Sequence, residues 1–488
     1  MGFFEGDQSA APLFEAVKRY AGSGVTPFHV PGHKQGRGIR EFRDYIGKTV
    51  LRMDANGMDD LDYLNNPSGA IMESQRLFAR AFGADEAFFL VNGTTSGVQA
   101  MIISVCGPGD EIILPRNAHK SAINGIILSG AVPVFVQPEI NAKLGIATGV
   151  TARSVGDAVK KHPGAKAVFV INPTYYGHCA DIKTIADIAH GNGMAVLADE
   201  AHGTHLYFHP ELPCPAISAG ADISALSVHK TGGSMTQSSA LILKKGLISP
   251  ATVRRSLDLM QTSSASYVLM CSLDVARKQL ALRGEKLIGA ALELAREGRA
   301  RINGIEGLYA FGREMISAPG CFDFDETKLG VNVGRLGLSG YGAEALLRRE
   351  YGIQAELSDL NNILFIVSLG DRRRDISALV KAFRRIARNS VIRKPARVIE
   401  PPGSPEMAVI PRDAFYSPKK TLPLESCEGE IAGEMVMAYP PGIPVLCIGE
   451  RITKDVVDYI KILKQEKCEL QGACDKSLEH IRVLDGVI

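Results

Sequence analysis

Short apolar runs alternate with amphipathic stretches between residues 86 and 198, and this pattern predicts strands that alternate with helices. The runs are almost wholly apolar, for example AVFVI at Ala167–Ile171, as is usual for parallel strands covered by helices on both faces. Strand–helix repetition at this spacing predicts an α/β fold with a mainly parallel, doubly wound sheet and right-handed crossovers. The predicted strands are Glu86–Val91, Glu111–Leu114, Val132–Val136, Ala167–Ile171 and Met194–Ala198, and the helices between them are Thr94–Val105, His119–Leu128, Ser154–Lys161 and Ile182–His190.

The pattern changes after residue 243, which predicts further domains. Before that point we predict a helix at Gln8–Gly22 and strands at Ala221–Val228 and Ser239–Leu243. A long helix at Tyr267–Asn303 then precedes a smaller α+β domain with helices at Ala343–Tyr351 and Ile376–Arg388 and strands at Ile353–Leu357 and Ile363–Ser368. A proline-rich break at Arg397–Pro405 follows. We predict an N-terminal helix and linker arm (1–60), a large cofactor-binding domain (61–300), a small domain (301–395) and a C-terminal α+β domain (396–488).

Charge and composition exclude several classes of function. The 488 residues include 55 Lys and Arg against 53 Asp and Glu, so neither nucleic acid nor an anionic membrane is an expected partner. The run Arg372–Arg374 lies between two aspartates and indicates a solvated helix start. No signal peptide and no membrane-spanning stretch is recognisable, and the nine scattered cysteines lack a CxxC pair. We therefore expect a cytoplasmic enzyme with reduced thiols.

Three elements that could bind a ligand or take part in catalysis follow predicted strands. In an open parallel sheet, ligands bind beyond the carboxyl ends of the strands. Asp199 follows one strand and Lys230 follows the next, so both should emerge at the same edge. The turn Asn92–Gly97 (NGTTSG) opens a helix at that edge, and its free N–H groups and hydroxyls suit a phosphate. Pyridoxal phosphate needs an anion cradle, an amine and an acid near its pyridine nitrogen.

Each element alone has an ordinary alternative. The Gly-Thr-Thr-Ser turn could be a capped helix start, Lys230 could be solvated, and Asp199 could serve magnesium or a ribose. His202, His205 and His209 could suggest a metal site, but the second ligand cluster that a metal site needs is missing from the sequence, so we predict none. A dinucleotide-binding oxidoreductase is disfavoured because no Gly-x-Gly-x-x-Gly follows the first strand. A catalytically inactive binding protein with this fold is also disfavoured, because it would not need to keep both Asp199 and Lys230.

Several motifs resemble those of the bacterial ornithine/lysine/arginine decarboxylases of fold type I, in the same order. The resemblance runs from about Phe28 to Glu450. The motifs are Phe28–Lys34 (FHVPGHK), Pro115–Ser121 (PRNAHKS), Asn172–Gly177 (NPTYYG), Asp199–Gly203 (DEAHG), Ser227–Lys230 (SVHK), Arg412–Phe415 (RDAF) and Tyr439–Pro444 (YPPGIP). The chain resembles the short members of the family, because it begins almost directly at the linker before the catalytic domain.

The resemblance implies roles for individual residues. Lys230 would hold pyridoxal phosphate covalently, Asp199 would pair with its pyridine nitrogen, and His119 would stack on its ring with Ala201 on the opposite face. We take Lys230, His229, Asp199 and His119 as the catalytic candidates. The remaining cofactor-binding candidates are Gly93, Thr94, Thr95, Ser96, Ser227 and His202, with Ser263 in the Gln261–Ser264 turn as the candidate contribution from a partner chain.

The implied reaction is decarboxylation of a basic L-amino acid. We favour arginine, giving agmatine for polyamine biosynthesis, because the short members that this chain resembles are arginine decarboxylases. Lysine and ornithine stay open, and an aminotransferase or lyase on the same fold is a further alternative. Glu356, Asp359 and His33 are candidate substrate-binding residues. Glu434 and Glu450 are further candidates, and each of these four carboxylates is more typical of an ordinary surface group. A homodimer, or a higher homo-oligomer with the active site at the interface, is expected.

Overall fold

The structure is a computed structural model that describes residues 7–392, 402–438, 443–466 and 468–486. Within these ranges, no helix is long and apolar enough to span a lipid bilayer. The predicted proline-rich break and the YPPGIP motif lie largely outside the described residues. The α-helices are α1 (Pro12–Gly22), α2 (Arg40–Ile46), α3 (Lys48–Met53), α4 (Ala70–Ala81), α5 (Gly93–Val105), α6 (Lys120–Ser129), α7 (Ala152–Lys161), α8 (Ile182–His190), α9 (Val228–Thr231), α10 (Pro250–Met260), α11 (Tyr267–Asn303), α12 (Gly340–Tyr351), α13 (Arg373–Arg388), α14 (Pro411–Tyr416) and α15 (Lys454–Gln465).

The strands are mostly short and buried. They are β1 (Glu86–Leu90), β2 (Glu111–Pro115), β3 (Val132–Val136), β4 (Ile140–Asn141), β5 (Ile146–Ala147), β6 (Ala167–Ile171), β7 (His178–Cys179), β8 (Ala195–Asp199), β9 (Ile223–Leu226), β10 (Ser239–Leu243), β11 (Tyr309–Ala310), β12 (Asp323–Phe324), β13 (Lys328–Asn332), β14 (Leu357–Ser358), β15 (Asn362–Ile366), β16 (Lys419–Pro423), β17 (Val436–Ala438), β18 (Ile443–Leu446), β19 (Leu470–Gln471) and β20 (His480–Leu484).

The chain divides into two compact units. The first unit comprises residues 1–104 and 197–289, and the second comprises residues 105–196 and 290–488. In the first unit, β8 pairs parallel with β9, and β10 pairs antiparallel with both β9 and β1, so that β1 and β9 run in the same direction. Every residue of β8, β9 and β10 is buried, which explains their nearly uninterrupted apolar sequences.

The second unit contains a parallel group and an antiparallel sheet. Strand β2 pairs parallel with β3 and with β6. The antiparallel sheet has the order β11-β13-β15-β14. Its core includes Leu329 and Val331 of β13 and Phe383 of α13. The C-terminal segment has its own buried cluster around α15 and β20, with Val456, Ile460 and Ile481 fully buried.

Most predicted elements are confirmed, and two strands need correction. The predicted strand Ala221–Val228 ends at Leu226, because Val228 already begins the short helix α9 that carries Lys230. The predicted strand Ile353–Leu357 is wrong, since only Leu357–Ser358 forms a strand. The apolar character of Ile353 reflects packing at the end of α12: its N–H donates to the carbonyl of Leu347 after left-handed Gly352 (φ +65°), and its side chain packs on the core.

The predicted domain boundaries near residues 60, 300 and 395 stay predictions. The two units cut across the linear order of the chain, since each contains two separated stretches. The helices α2, α3 and α4 were not predicted. Neither were the elements from α14 onward. Helices α2 and α3 are short, with seven and six residues, and β16 pairs with β20, which is distant in sequence.

Candidate active site

The first unit places Asp199 and Lys230 at one edge of its strands. Asp199 is the last residue of β8, and it lies opposite Ala225 of β9 in the parallel register. Strand β9 ends one residue later at Leu226, and Lys230 follows on α9. Because parallel neighbours end at the same edge, the carboxylate and the amine are brought to a common site by the register alone.

Asp199 is a buried carboxylate at the end of β8. Its side chain is 7% exposed, and its Oδ1 accepts the N–H of Ala201 at 3.0 Å. Burial raises the pKa of Asp199, while the hydrogen bond from Ala201 and the charge of Lys230 counteract part of that rise. A cationic partner at this position would therefore be favoured. That is what the nitrogen of a protonated pyridine ring would provide.

The side chain of Lys230 contacts a histidine from the segment after β8. The Lys230 Nζ lies 2.9 Å from the Nε2 of His202, and His202 is buried. The backbone N–H of Lys230 donates to the carbonyl of Ser227 at 3.0 Å, which closes the first turn of α9. The amine is thus held by a short helix on one side and meets an imidazole on the other.

Hydroxyl groups gather where α5 begins. Gly93 starts this helix with a φ of +71°, a conformation that favours glycine. The Thr94 Oγ1 lies 2.6 Å from the Oγ of Ser227, so the start of α5 and the residue before α9 are joined directly. The Ser96 hydroxyl donates to the carbonyl of Gly93 at 3.0 Å, whereas Thr95 is exposed. The N–H groups of the first turn and these hydroxyls suit a phosphate.

His229 is oriented by a carbonyl. Its Nδ1 lies 2.9 Å from the carbonyl oxygen of Ser238. A carbonyl only accepts hydrogen bonds, so Nδ1 must carry a proton and donate it. In the neutral ring, Nε2 is then the basic nitrogen.

Glu200 is a supporting residue that sequence reasoning missed. Its carboxylate is fully buried and accepts hydrogen bonds from the Tyr207 hydroxyl at 2.5 Å, the Ser224 hydroxyl at 2.6 Å and the Ala216 N–H at 2.8 Å. Burial and the neighbouring carboxylate raise the pKa of Tyr207, which keeps the phenol protonated as a donor. The position of Glu200 directly after an apolar strand is visible in the sequence, but the three donors that hold its carboxylate are not.

The second unit holds His119 and two of the substrate-binding candidates. His119 precedes α6, and its Nδ1 accepts the N–H of Ser121 at 3.2 Å and meets the Ser121 hydroxyl at 2.8 Å. Asp359 is engaged by the chain: Oδ1 accepts the N–H groups of Asn361 and Asn362, both at 2.8 Å, and Oδ2 accepts the Tyr176 hydroxyl. Burial raises the pKa of Asp359. Glu356 is exposed.

The remaining candidates occupy varied environments. In the first unit, the His33 Nε2 contacts Asp54 at 2.9 Å, and Ser263 is exposed in the turn after α10. The expectation of surface carboxylates at Glu434 and Glu450 is wrong. Glu434 accepts the N–H groups of Cys474 and Arg482, and Glu450 forms a buried ion pair with Arg116 at 2.9 Å. Among the described residues, no three His, Cys, Asp or Glu side chains form a group that could hold a metal ion.

Comparison with protein families matches most of the chain to one family. Residues 11–330 match the Orn/Lys/Arg decarboxylase major domain. Residues 393–473 match the Orn/Lys/Arg decarboxylase C-terminal domain.

Full-length relatives and solved structures agree with that match. The chain is 46% identical to an arginine decarboxylase of Bacillus subtilis (strain 168) over 482 residues, which is 98% of each chain. It is 45% identical to an arginine decarboxylase of Bacillus anthracis over 481 residues, again 98% of each. The crystal structure of the Francisella novicida lysine decarboxylase superimposes with a TM-score of 0.83 at 19% identity, over 97% of this chain and 81% of that one. This likeness confirms the predicted fold-type-I architecture.

Proposed function

Because this chain belongs to the Orn/Lys/Arg decarboxylase family, we propose that it converts L-arginine to agmatine and carbon dioxide with pyridoxal phosphate as its cofactor. The observation that carries the proposal is the placement of the Lys230 amine and the buried Asp199 at one strand edge. The alignment supports arginine as the substrate, since it covers 98% of this chain and 98% of an arginine decarboxylase at 46% identity.

The amine, carboxylate and hydroxyl groups of the first unit fit this cofactor. Lys230 would hold it covalently, and Asp199 would hold a proton on the pyridine nitrogen. The first turn of α5, with the Thr94 and Ser227 hydroxyls, would bind the phosphate. The role of His119 at the ring face is implied by the family resemblance and stays a prediction. When bound, pyridoxal phosphate supplies an electron sink for the pair left by the departing carbon dioxide.

The residues that could transfer a proton are held in place by hydrogen bonds of the site. After carbon dioxide leaves, Cα of the product must receive a proton. We assign that proton to the Nζ of Lys230 or to the Nε2 of His229, whose Nδ1 is held by the Ser238 carbonyl. The α-carboxylate of the substrate should not meet an arginine, since decarboxylation is favoured when that group is left unneutralised.

We further propose that the protein is a cytoplasmic homodimer. The nine cysteines are scattered along the chain and lack a CxxC pair, which fits a reducing compartment. Several large apolar side chains between residues 25 and 63 are exposed on the single chain, including Phe28 at 92% and Tyr45 at 91%. Exposed apolar groups of this extent mark interaction surfaces. A role in polyamine biosynthesis would follow from agmatine as the product.

The test compares Lys230→Ala with Lys245→Ala, a matched change at an exposed lysine in the first unit. Each protein is purified with added pyridoxal phosphate, its visible spectrum is recorded, and carbon dioxide release is assayed with arginine, lysine and ornithine. We expect the wild type and Lys245→Ala to be yellow and to decarboxylate arginine. Lys230→Ala should lose the visible band and at least about a thousandfold of the rate, since its covalent amine is gone.

Each other outcome has a defined meaning. Release of carbon dioxide from lysine or ornithine instead of arginine would replace the substrate and keep the reaction. A yellow protein that forms keto acids would point to the aminotransferase alternative. A wild-type protein that takes up no pyridoxal phosphate would overturn the proposal.

A further inference from the structure

We propose that His202 is a further catalytic residue, which accepts a proton from the Lys230 ammonium so that the amine can react with the cofactor aldehyde. This inference rests on the proposed function of Lys230. The observation behind it is the 2.9 Å contact between the His202 Nε2 and the Lys230 Nζ. His202 is 3% exposed, so bulk water has little access to the imidazole.

The chemistry of the two groups fixes the direction of the hydrogen bond. A lysine ammonium has three donors and no acceptor, so the Nε2 of His202 must be the acceptor. An ammonium has no lone pair and cannot attack an aldehyde, so one proton must leave the Nζ first. In the proposed step the proton passes from the Nζ of Lys230 to the Nε2 of His202. No other bond changes.

The surrounding charges make such an acceptor necessary. Asp199, at the end of β8, exerts a Coulombic attraction on Lys230, which favours the charged ammonium and opposes its deprotonation. On α9 itself, His229 donates its Nδ1 proton to the Ser238 carbonyl, which fixes the tautomer of that ring. His202 is hydrogen-bonded to the Nζ by its Nε2, the nitrogen that would be basic in the neutral ring. An imidazole takes up and releases protons near neutral pH.

A purely structural role for His202 would be to hold the lysine in place, and glutamine separates the two roles. In His202→Gln, the amide oxygen can still accept a hydrogen bond from the ammonium, but the amide cannot take up a proton near neutrality. The matched control is His209→Gln. His209 lies on the same segment and is only partly buried, and its Nδ1 accepts the N–H of Glu211 at 3.3 Å.

The experiment measures the rate at which the cofactor-stripped, full-length protein binds pyridoxal phosphate. The visible band is followed by stopped flow between about pH 6 and pH 9, where imidazole changes its charge. We expect the wild type and His209→Gln to load at a rate that levels off above neutrality. His202→Gln should load at least about tenfold more slowly at neutral pH, in the range that general bases contribute. Its rate should keep rising with pH.

Chemical rescue guards against misfolding. His202→Gly should regain loading when free imidazole is added, and its circular dichroism spectrum should match the wild type. Unchanged loading rates and pH profiles in His202→Gln would overturn the inference while leaving the decarboxylase proposal intact. A slow His202→Gln with the same pH profile as the wild type, with no rescue of His202→Gly by imidazole, would assign His202 a positioning role instead. A wild type that loads no cofactor would overturn the proposed function of Lys230, on which the inference rests.

Discussion

At the scale of single residues, the burial of Asp199 makes the stability of the protein depend on pH. Its folded pKa lies above the ordinary value of 3.8, and burial is the main cause. A raised carboxyl pKa means that the folded state holds its proton to higher pH than the unfolded state. Stability from this group is therefore complete below about pH 3.8 and is lost as pH rises through the folded pKa. The cofactor-free protein carries this cost at neutral pH.

Asp199→Asn keeps the size of the side chain and an oxygen for the Ala201 N–H, but it removes the charge. We expect the cofactor-free variant to be at least as stable as the wild type at neutral pH, because no charge is buried. Its free energy of unfolding should lack the part of the pH dependence that Asp199 causes. Decarboxylation should fall at least about a hundredfold, as when a fixed charge is removed from an active site. Urea titrations from pH 3 to 8, with rate assays, would check both. Parallel stability profiles for the two proteins would contradict this account.

The candidate site shows which residues a sequence can indicate. Asp199 and Lys230 could be predicted, because each lies close to the end of an apolar strand and parallel neighbours end at one edge. Glu200 was not, since its donors Tyr207, Ala216 and Ser224 come from three different places in the chain. The His202–Lys230 contact was hidden for a similar reason. It depends on the helical turn of α9, where the sequence predicted only the end of a strand.

At the scale of elements, the start of α1 depends on a distant carboxylate. The residue before it is Ala11, which offers no side-chain cap. The Oδ2 of Asp274 on α11 accepts the N–H groups of Leu13 at 3.0 Å and Phe14 at 3.2 Å, and its Oδ1 accepts from Arg277 at 2.8 Å. Both charged side chains are fully buried. The helix pattern of α1 could be predicted from its own residues, but this cap is 261 positions away from Leu13 and could not.

Asp274→Ala should therefore destabilise the first unit strongly. It leaves the Arg277 guanidinium buried without its ion-pair partner and removes an acceptor from the first turn of α1. We expect a loss of about 3–5 kcal/mol in the free energy of unfolding, as for a broken buried ion pair. Glu293→Ala, at an exposed position of the same helix, is the control and should stay within about 0.5 kcal/mol. Urea denaturation followed by circular dichroism measures both. A loss of less than about 1 kcal/mol in Asp274→Ala would show that Ser74, which also accepts the Leu13 N–H, suffices as the cap.

At the scale of the whole molecule, net charge and surface composition bear on assembly. The formal net charge is only +2, so long-range repulsion between copies is weak. The segment between residues 25 and 63 exposes many apolar side chains on the single chain. Its exposed large apolar side chains are Val25, Phe28, Val30, Ile39, Phe42, Tyr45, Val50 and Tyr63. Such a concentration is unusual for a monomer surface. It is the structural reason to expect that a second copy of the chain covers this segment.

The double variant Phe28→Ser/Tyr45→Ser tests that expectation. Each ring loses about 1.5–3 kcal/mol of burial if the interface covers it, so the dissociation constant of the dimer should rise at least about a hundredfold. Phe322→Ser, at an aromatic residue of the second unit that is 62% exposed, should leave the constant unchanged. Sedimentation velocity over a dilution series gives the constants, and the rate per chain is assayed at the same concentrations. If the active site needs the partner, the rate of the double variant falls with dilution in step with dissociation. A wild type that sediments as a monomer would contradict the dimer. An unchanged constant in the double variant would place the interface elsewhere.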